Sequence, residues 1–205
     1  MNNRASNAGS RGWNPGEFYS GPRQRLPQRL TREEAAALIA QPNRRYPTGV
    51  RDRAFLRLLY RAGLRCNEAL SLKVRDVDLG RGEIRVWQGK GGRDRRVWID
   101  KTTIEYLDAW KSIRPKSDYF FCTLQGGHID DGHVRKMVAR RGAKAGIAIR
   151  CHPHLLRHTF ASELLEDGYS IIEVQRLMGH AHVSTTAIYL HVADENLRRR
   201  LVDRD

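Results

Sequence analysis

Apolar residues recur at helical spacing along most of this chain and alternate in only two short stretches. Ala35, Leu38 and Ile39 follow Thr31-Arg-Glu-Glu34. In that pattern the threonine caps a helix while the glutamate reaches back to the first amide, so a short helix is predicted, ending before Pro42. Phe55, Leu58, Leu59 and Ala62 predict a helix over 50–62 closed by Gly63. A second short helix over 67–72 follows at once, which puts Arg65 in the tight link between the two. Residues 83–87 and 95–99 alternate as strands. The segment between them, Gln88-Gly-Lys90-Gly-Gly-Arg-Asp94, reads as a hairpin loop with Lys90 at its tip, among glycines that permit close backbone approach.

Ile104, Leu107 and Trp110 predict a helix over 101–113, and Tyr119-Phe-Phe121 a third short strand. Further helices are predicted over 131–145, from Pro153 to 167, and from the cap Ser170 to 178. Two more are predicted over 183–190 and 194–202, the last amphipathic and rich in arginine. There is no internal repeat. The fold class that results is α+β, mainly α: a helical domain over 30–205 with a small antiparallel sheet or hairpin on one side. Residues 1–29, rich in Gly, Pro, Asn, Ser and Arg, read as a flexible basic arm.

Charge changes the picture. The 205 residues carry 37 Lys and Arg against 23 Asp and Glu, a formal net charge of +14, which calls for a polyanionic partner, most simply nucleic acid. From Arg135 to Arg150 there are six basic residues and no acidic one. The DNA-facing candidates are therefore Arg135, Lys136, Arg140, Arg141 and Lys144, together with Arg93 and Arg95 beside the hairpin loop. Three cysteines without a CxxC pair suit a reduced compartment. No apolar run approaches the roughly 20 residues of a membrane span, and no signal peptide is visible. The expectation is a cytoplasmic protein with no membrane partner.

The chemistry-bearing residues cluster late in the chain. Tyr189 is a poor nucleophile alone, because a phenol ionises near pH ~10. Fixed cations and imidazoles nearby change that. Arg65 and Arg157 offer two guanidinium forks that hold the non-bridging oxygens of one phosphodiester and stabilise the charge that builds up at phosphorus, work otherwise done by a metal. His154 and Arg157 are three apart and share a helix face, with His158 on the same side. His154 is placed to take a phenol proton, and Lys90 to protonate a departing oxygen.

Each residue taken singly has a plainer reading. Tyr189 would be a packing residue, Arg65 a partner of Glu68, Arg157 a surface arginine and Lys90 a solvated loop lysine. A metal site built on His152, His154 and His158 is disfavoured, because neither a cysteine nor a carboxylate joins them and the HExxH glutamate is missing.

Five blocks taken together resemble the tyrosine recombinase, or phage integrase, family, in its catalytic domain. They are Tyr60-Arg-Ala-Gly-Leu-Arg65-Cys-Asn-Glu68-Ala-Leu-Ser-Leu72, Gly89-Lys90-Gly, His154-Leu-Leu-Arg157-His158-Thr-Phe-Ala, Leu177-Met-Gly-His180, and Ser184-Thr-Thr-Ala-Ile-Tyr189-Leu-His-Val192. Any one is a weak match; all five in this order are specific. The resemblance implies a site-specific recombinase or integrase that cuts and rejoins double-stranded DNA through a 3′-phosphotyrosine link, with no cofactor, metal or ATP. It implies that Arg65 and Arg157 clamp the scissile phosphate and that Lys90 acts as general acid. His154 would assist proton transfer, His180 would donate to the phosphate, and Tyr189 would attack. Glu68 would orient the first arginine, and His158 would support the site.

It further implies a homotetramer at synapsis, with four protomers exchanging strands through a Holliday junction, and is compatible with a monomer in solution. Relatives carry an N-terminal helical domain that closes around DNA, and only about 30 residues precede the expected catalytic fold here. Two alternatives share the motifs: relaxation of supercoils in the manner of a type IB topoisomerase, and a DNA-binding regulator without activity. The filled catalytic positions weigh against the second.

Overall fold

A computed structural model describes residues 28–87, 94–179 and the single position 202. Residues 1–27 of the N-terminal arm, the loop residues Lys90 and Arg93, His180, Tyr189 and the expected helices over 183–190 and 194–202 lie outside the described residues, Val202 excepted. In chain order the described elements are α1 (Arg32–Ala40), α2 (Pro47–Ala62), α3 (Cys66–Ser71), a 3-10 turn (Val74–Asp76), β1 (Val77–Asp78), β2 (Glu83–Val86), β3 (Arg95–Trp98), α4 (Lys101–Lys111), α5 (Asp131–Lys144), α6 (Pro153–Glu166) and α7 (Ile171–Met178). The mainly helical α+β class is as the sequence predicts.

α1 opens on the expected capping box: the Glu34 amide donates to Thr31 Oγ1 at 3.1 Å and the Thr31 amide to Glu34 Oε2 at 2.9 Å. α2 is the central element, with α1, α4 and α6 packed around it. Ala54, Phe55, Leu56, Leu58 and Leu59 are all buried, so the helix is apolar around most of its circumference. It starts at Pro47, three residues before the apolar spacing begins, because proline fits the first turn of a helix where no amide partner is needed.

The sheet is antiparallel in the order β1-β2-β3. Its register, Val77 opposite Ile84 and Ile84 opposite Val97, aligns three inward residues against the helices. The third strand is thus Val77–Asp78, not 119–121. Tyr119 makes one isolated antiparallel bridge to Lys73, and the aromatic run goes to packing instead. Phe121 meets Phe55 and Phe120 edge to face at 5.0 Å, and Trp110 Nε1 donates to the Phe120 carbonyl at 2.9 Å. One large core runs from α1 to α6, and a smaller one between α6 and α7 is built on Phe160, Ala161, Leu165, Val174 and Met178.

Candidate active site

The site begins where α2 stops. Gly63 caps α2 in the left-handed conformation (φ 59°), and a Cβ there would overlap the Phe160 ring. The chain turns through Leu64 and immediately starts α3, with Arg65 as its N-cap residue. Glu68, in the first turn of α3, accepts from the Arg65 amide at 2.8 Å and from Arg65 Nη1 at 2.9 Å. The Glu68 side chain is only 10% exposed, against 39% for Arg65.

Arg95 meets the same carboxylate from β3. Its Nη2 donates to Glu68 Oε2 at 2.8 Å and its Nη1 to Oε1 at 3.0 Å, a two-pronged pair. Arg157 comes from α6, with Nη1 4.0 Å from Glu68 Oε2. Three guanidinium groups from three parts of the fold thus surround one carboxylate, leaving a local excess of two positive charges. Burial by itself would raise the Glu68 carboxyl, but the Arg95 fork, the Arg65 amide and the Arg157 charge outweigh it and hold Glu68 down at about 2.

The three arginines share a second target. Arg95 Nε donates to the Leu177 carbonyl at 3.2 Å, Arg157 Nη2 to the Met178 carbonyl at 2.5 Å and Arg65 Nη2 to the Gly179 carbonyl at 3.5 Å. These are successive carbonyls at the end of α7, groups that a helix leaves without internal partners and that carry the negative end of its dipole. Arg157 Nη1 also donates to the carbonyl of Gly63, so this buried side chain lies between the C-terminal ends of α2 and α7. It is not a surface arginine.

His154 stands one turn before Arg157 on α6 and is exposed. Partial burial, then the charges of Arg157, Arg135 and Arg65, push its pKa below the ordinary imidazole value, with Asp131 opposing weakly. The ring is therefore neutral at neutral pH and able to accept a proton. His158, half-buried, is shifted the same way by burial and by His154, His152 and Arg157. His152 is the N-cap of α6: its Nδ1 accepts from the Leu155 amide at 3.1 Å. Among the described residues no three His, Cys, Asp or Glu side chains group as a metal site requires.

The basic candidates on α5 divide. Lys136, Arg140 and Lys144, spaced by four, are exposed along one face. Arg135 is exposed but tied to Asp131 at 2.6 Å. Arg141 is half-buried, and its Nε has no protein partner.

Arg95 differs from the solvent-facing cation that the charge pattern suggests: its side chain is 9% exposed and doubly paired with Glu68. The strand alternation carries the missed signal. Residues 95, 97 and 99 share one face by period two, and Val97 and Ile99 are buried, so Arg95 must point inward with them.

The phage integrase family matches residues 28–196. The tyrosine recombinase XerC of Serratia marcescens is 37% identical over 190 residues, 90% of this chain and 62% of the Serratia protein. The chain thus spans about three fifths of the length of that relative. Among solved structures, the XerA recombinase superposes with a TM-score of 0.76 at 34% identity, covering 89% of this chain and 67% of XerA. The XerH site-specific recombinase in its post-cleavage complex with palindromic difH substrate gives 0.72 at 30% identity, covering 87% and 53%.

Proposed function

The chain belongs to the phage integrase family, and we propose that it is the strand-cleaving unit of a tyrosine-type site-specific DNA recombinase. The observation that carries this reading is the arginine hub: Arg65 and Arg157, from α3's N-cap and from α6, converge beside one shared carboxylate with His154 a turn away. Their excess positive charge suits a phosphodiester and the further negative charge its phosphorus acquires on attack.

In the proposed reaction Arg65 and Arg157 hold the two non-bridging oxygens. The Tyr189 hydroxyl attacks phosphorus, and its proton passes to neutral His154. The bond from phosphorus to the 5′ oxygen breaks, and Lys90 supplies that oxygen's proton. His180 donates to the phosphate. The 3′-phosphotyrosine ester keeps the energy of the broken bond, so a 5′ hydroxyl from the partner strand attacks it and restores the diester. Recombination is preferred to simple relaxation because the relatives matched are recombinases by name, XerH among them with its difH substrate. Double-stranded DNA is the proposed substrate, a homotetramer the proposed synaptic assembly, and the cytoplasm the proposed location.

The test is covalent trapping. A pool of nicked duplexes with randomised cores is incubated with the protein and captured under denaturing conditions. Wild type yields a protein–DNA adduct that survives denaturant and is unaffected by EDTA. Tyr189→Phe yields none; an adduct that persists in that variant overturns the reading.

A further inference from the structure

Arg95 reaches the site from the β-sheet with its side chain only 9% exposed, and it makes the two-pronged contact in the hub. Its two terminal nitrogens lie 3.0 and 2.8 Å from the two oxygens of Glu68, while Nε lies 3.2 Å from the Leu177 carbonyl. Glu68 is the residue that fixes Arg65, by its amide and its guanidinium. Leu177 lies in the last turn of α7, whose next two carbonyls are held by Arg157 and Arg65. One rigid planar group therefore ties β3 to both anchors of the phosphate clamp.

We propose that Arg95 is a positioning residue of the cleavage site: through Glu68 it sets the direction of Arg65, and through Leu177 it fixes the end of α7 against Arg157. The proposal rests on the reading of this chain as a DNA-cleaving recombinase. Its physical basis is the fork itself. A carboxylate bound on one side only by Arg65 could swing with that exposed side chain; bound bidentately by buried Arg95 it is a fixed post. The groups that face Glu68 are Arg65 from the α2–α3 link, Arg95 from β3 and Arg157 from α6. Of these only Arg95 is both buried and in two-pronged contact. A lysine would keep the charge and lose the plane.

The experiment separates positioning from DNA contact and from folding. Full-length wild type, Tyr189→Phe, Arg95→Ala and Arg95→Lys are compared on the duplex recovered from the trapping pool. Three quantities are read: the single-turnover cleavage rate at saturating DNA, the Kd over a range of salt, and the thermal midpoint. Positioning predicts a saturated rate roughly 100-fold lower in Arg95→Ala, as expected for a catalytic group misplaced by about an ångström. It also predicts unchanged Kd and salt slope, and an intermediate rate in Arg95→Lys. If Arg95→Ala does not fold, Arg95→Lys reads the same split.

In a Glu68→Gln background the Arg95 substitutions must add less than they do in wild type, because the two act as a unit. A raised Kd with a salt slope reduced by about 1 and an unchanged saturated rate would make Arg95 a phosphate contact and overturn the proposal. So would a wild-type rate in Arg95→Ala, or a rate loss that simply tracks the fraction folded in both variants. No adduct from wild type, or one that persists in Tyr189→Phe, overturns the cleavage reading itself; a Tyr189-dependent wild-type adduct with an undiminished rate in Arg95→Ala overturns the role of Arg95 alone.

Discussion

Glu68 and Arg157 lie 4.0 Å apart although they come from helices separated by almost half the chain, and the carboxylate is at the same time hydrogen-bonded to Arg65 and Arg95. A single acid in the first turn of α3 therefore neutralises part of three guanidinium groups, and the fold depends on it as much as the site does. Glu68→Ala leaves buried cations without their counter-charge, a change that costs about 3–5 kcal/mol when one partner of a buried pair is removed. The expected result is a large drop in the denaturation midpoint, measured by urea titration, with Glu68→Gln falling less because the amide oxygen still accepts from the Arg65 amide.

The same carboxylate gives stability a pH signature. Glu68 is held at about 2, against an ordinary value of 4.5, and Asp100, paired with Arg57 and Arg61, is also held at about 2. Burial opposes both shifts, and hydrogen bonds to the charged forms overcome it. A depressed carboxylate stabilises the folded state at pH values above its unfolded pKa. That stability drains away as pH falls through the folded pKa. For Glu68 the loss amounts to about 3 kcal/mol between roughly pH 4.5 and 2. Thermal melts across that window should show a steep fall in wild type and a shallower one in Glu68→Gln.

Gly63 is constrained twice over, by its left-handed φ of 59° and by the Phe160 ring. Gly63→Ala must strain the backbone and displace the ring, at a cost of about 2–4 kcal/mol. It also moves the carbonyl to which Arg157 donates. Cleavage per folded molecule should therefore fall along with stability, which adduct formation normalised to the folded fraction will reveal.

In the proposed reaction His154, as proton acceptor, sets the acid limit. Burial and three nearby arginines shift its pKa below the ordinary 6.5, so the neutral form persists to lower pH than a free imidazole allows. A proton acceptor is lost when it becomes protonated, so the acid limb of the cleavage rate should be centred below the ordinary imidazole value. His154→Ala removes that limb and lowers the saturated rate by roughly 10²–10⁴-fold.

The exposed face of α5 makes a contrasting prediction. Lys136, Arg140 and Lys144 line one side of the helix and are free to follow a phosphate backbone. Replacing any one by alanine should weaken binding evenly across sequences and lower the salt slope by about 1, with no change in rate at saturation. Fluorescence anisotropy with duplexes of unrelated sequence measures both.

Much of this was legible in the residues. The capping box at Thr31, the closure of α2 at Gly63 and the proline start of α6 are local rules, and each element sits where they put it. Arg65 pairs with Glu68, and Arg157 reaches the same carboxylate, a meeting that spacing along the chain does not show. What the residues hid is tertiary. A two-residue strand such as Val77–Asp78 has no periodicity to detect, and an aromatic run such as Tyr119-Phe-Phe121 reads as strand because core-filling and strand-forming side chains are the same ones. Arg95 was hidden by its charge. A basic residue beside a hairpin invites a phosphate, and only the alternation with Val97 and Ile99 gives away its inward direction.

The residue that bears the DNA in the covalent adduct can be identified directly. The trapped adduct is digested with protease and nuclease, and the nucleotide-bearing peptide is sequenced by mass spectrometry. The expected peptide spans Tyr189, with the phosphate on its phenolic oxygen joined to the 3′ end of the cut strand. A phosphate on any other residue, or one joined through the 5′ end, contradicts the account.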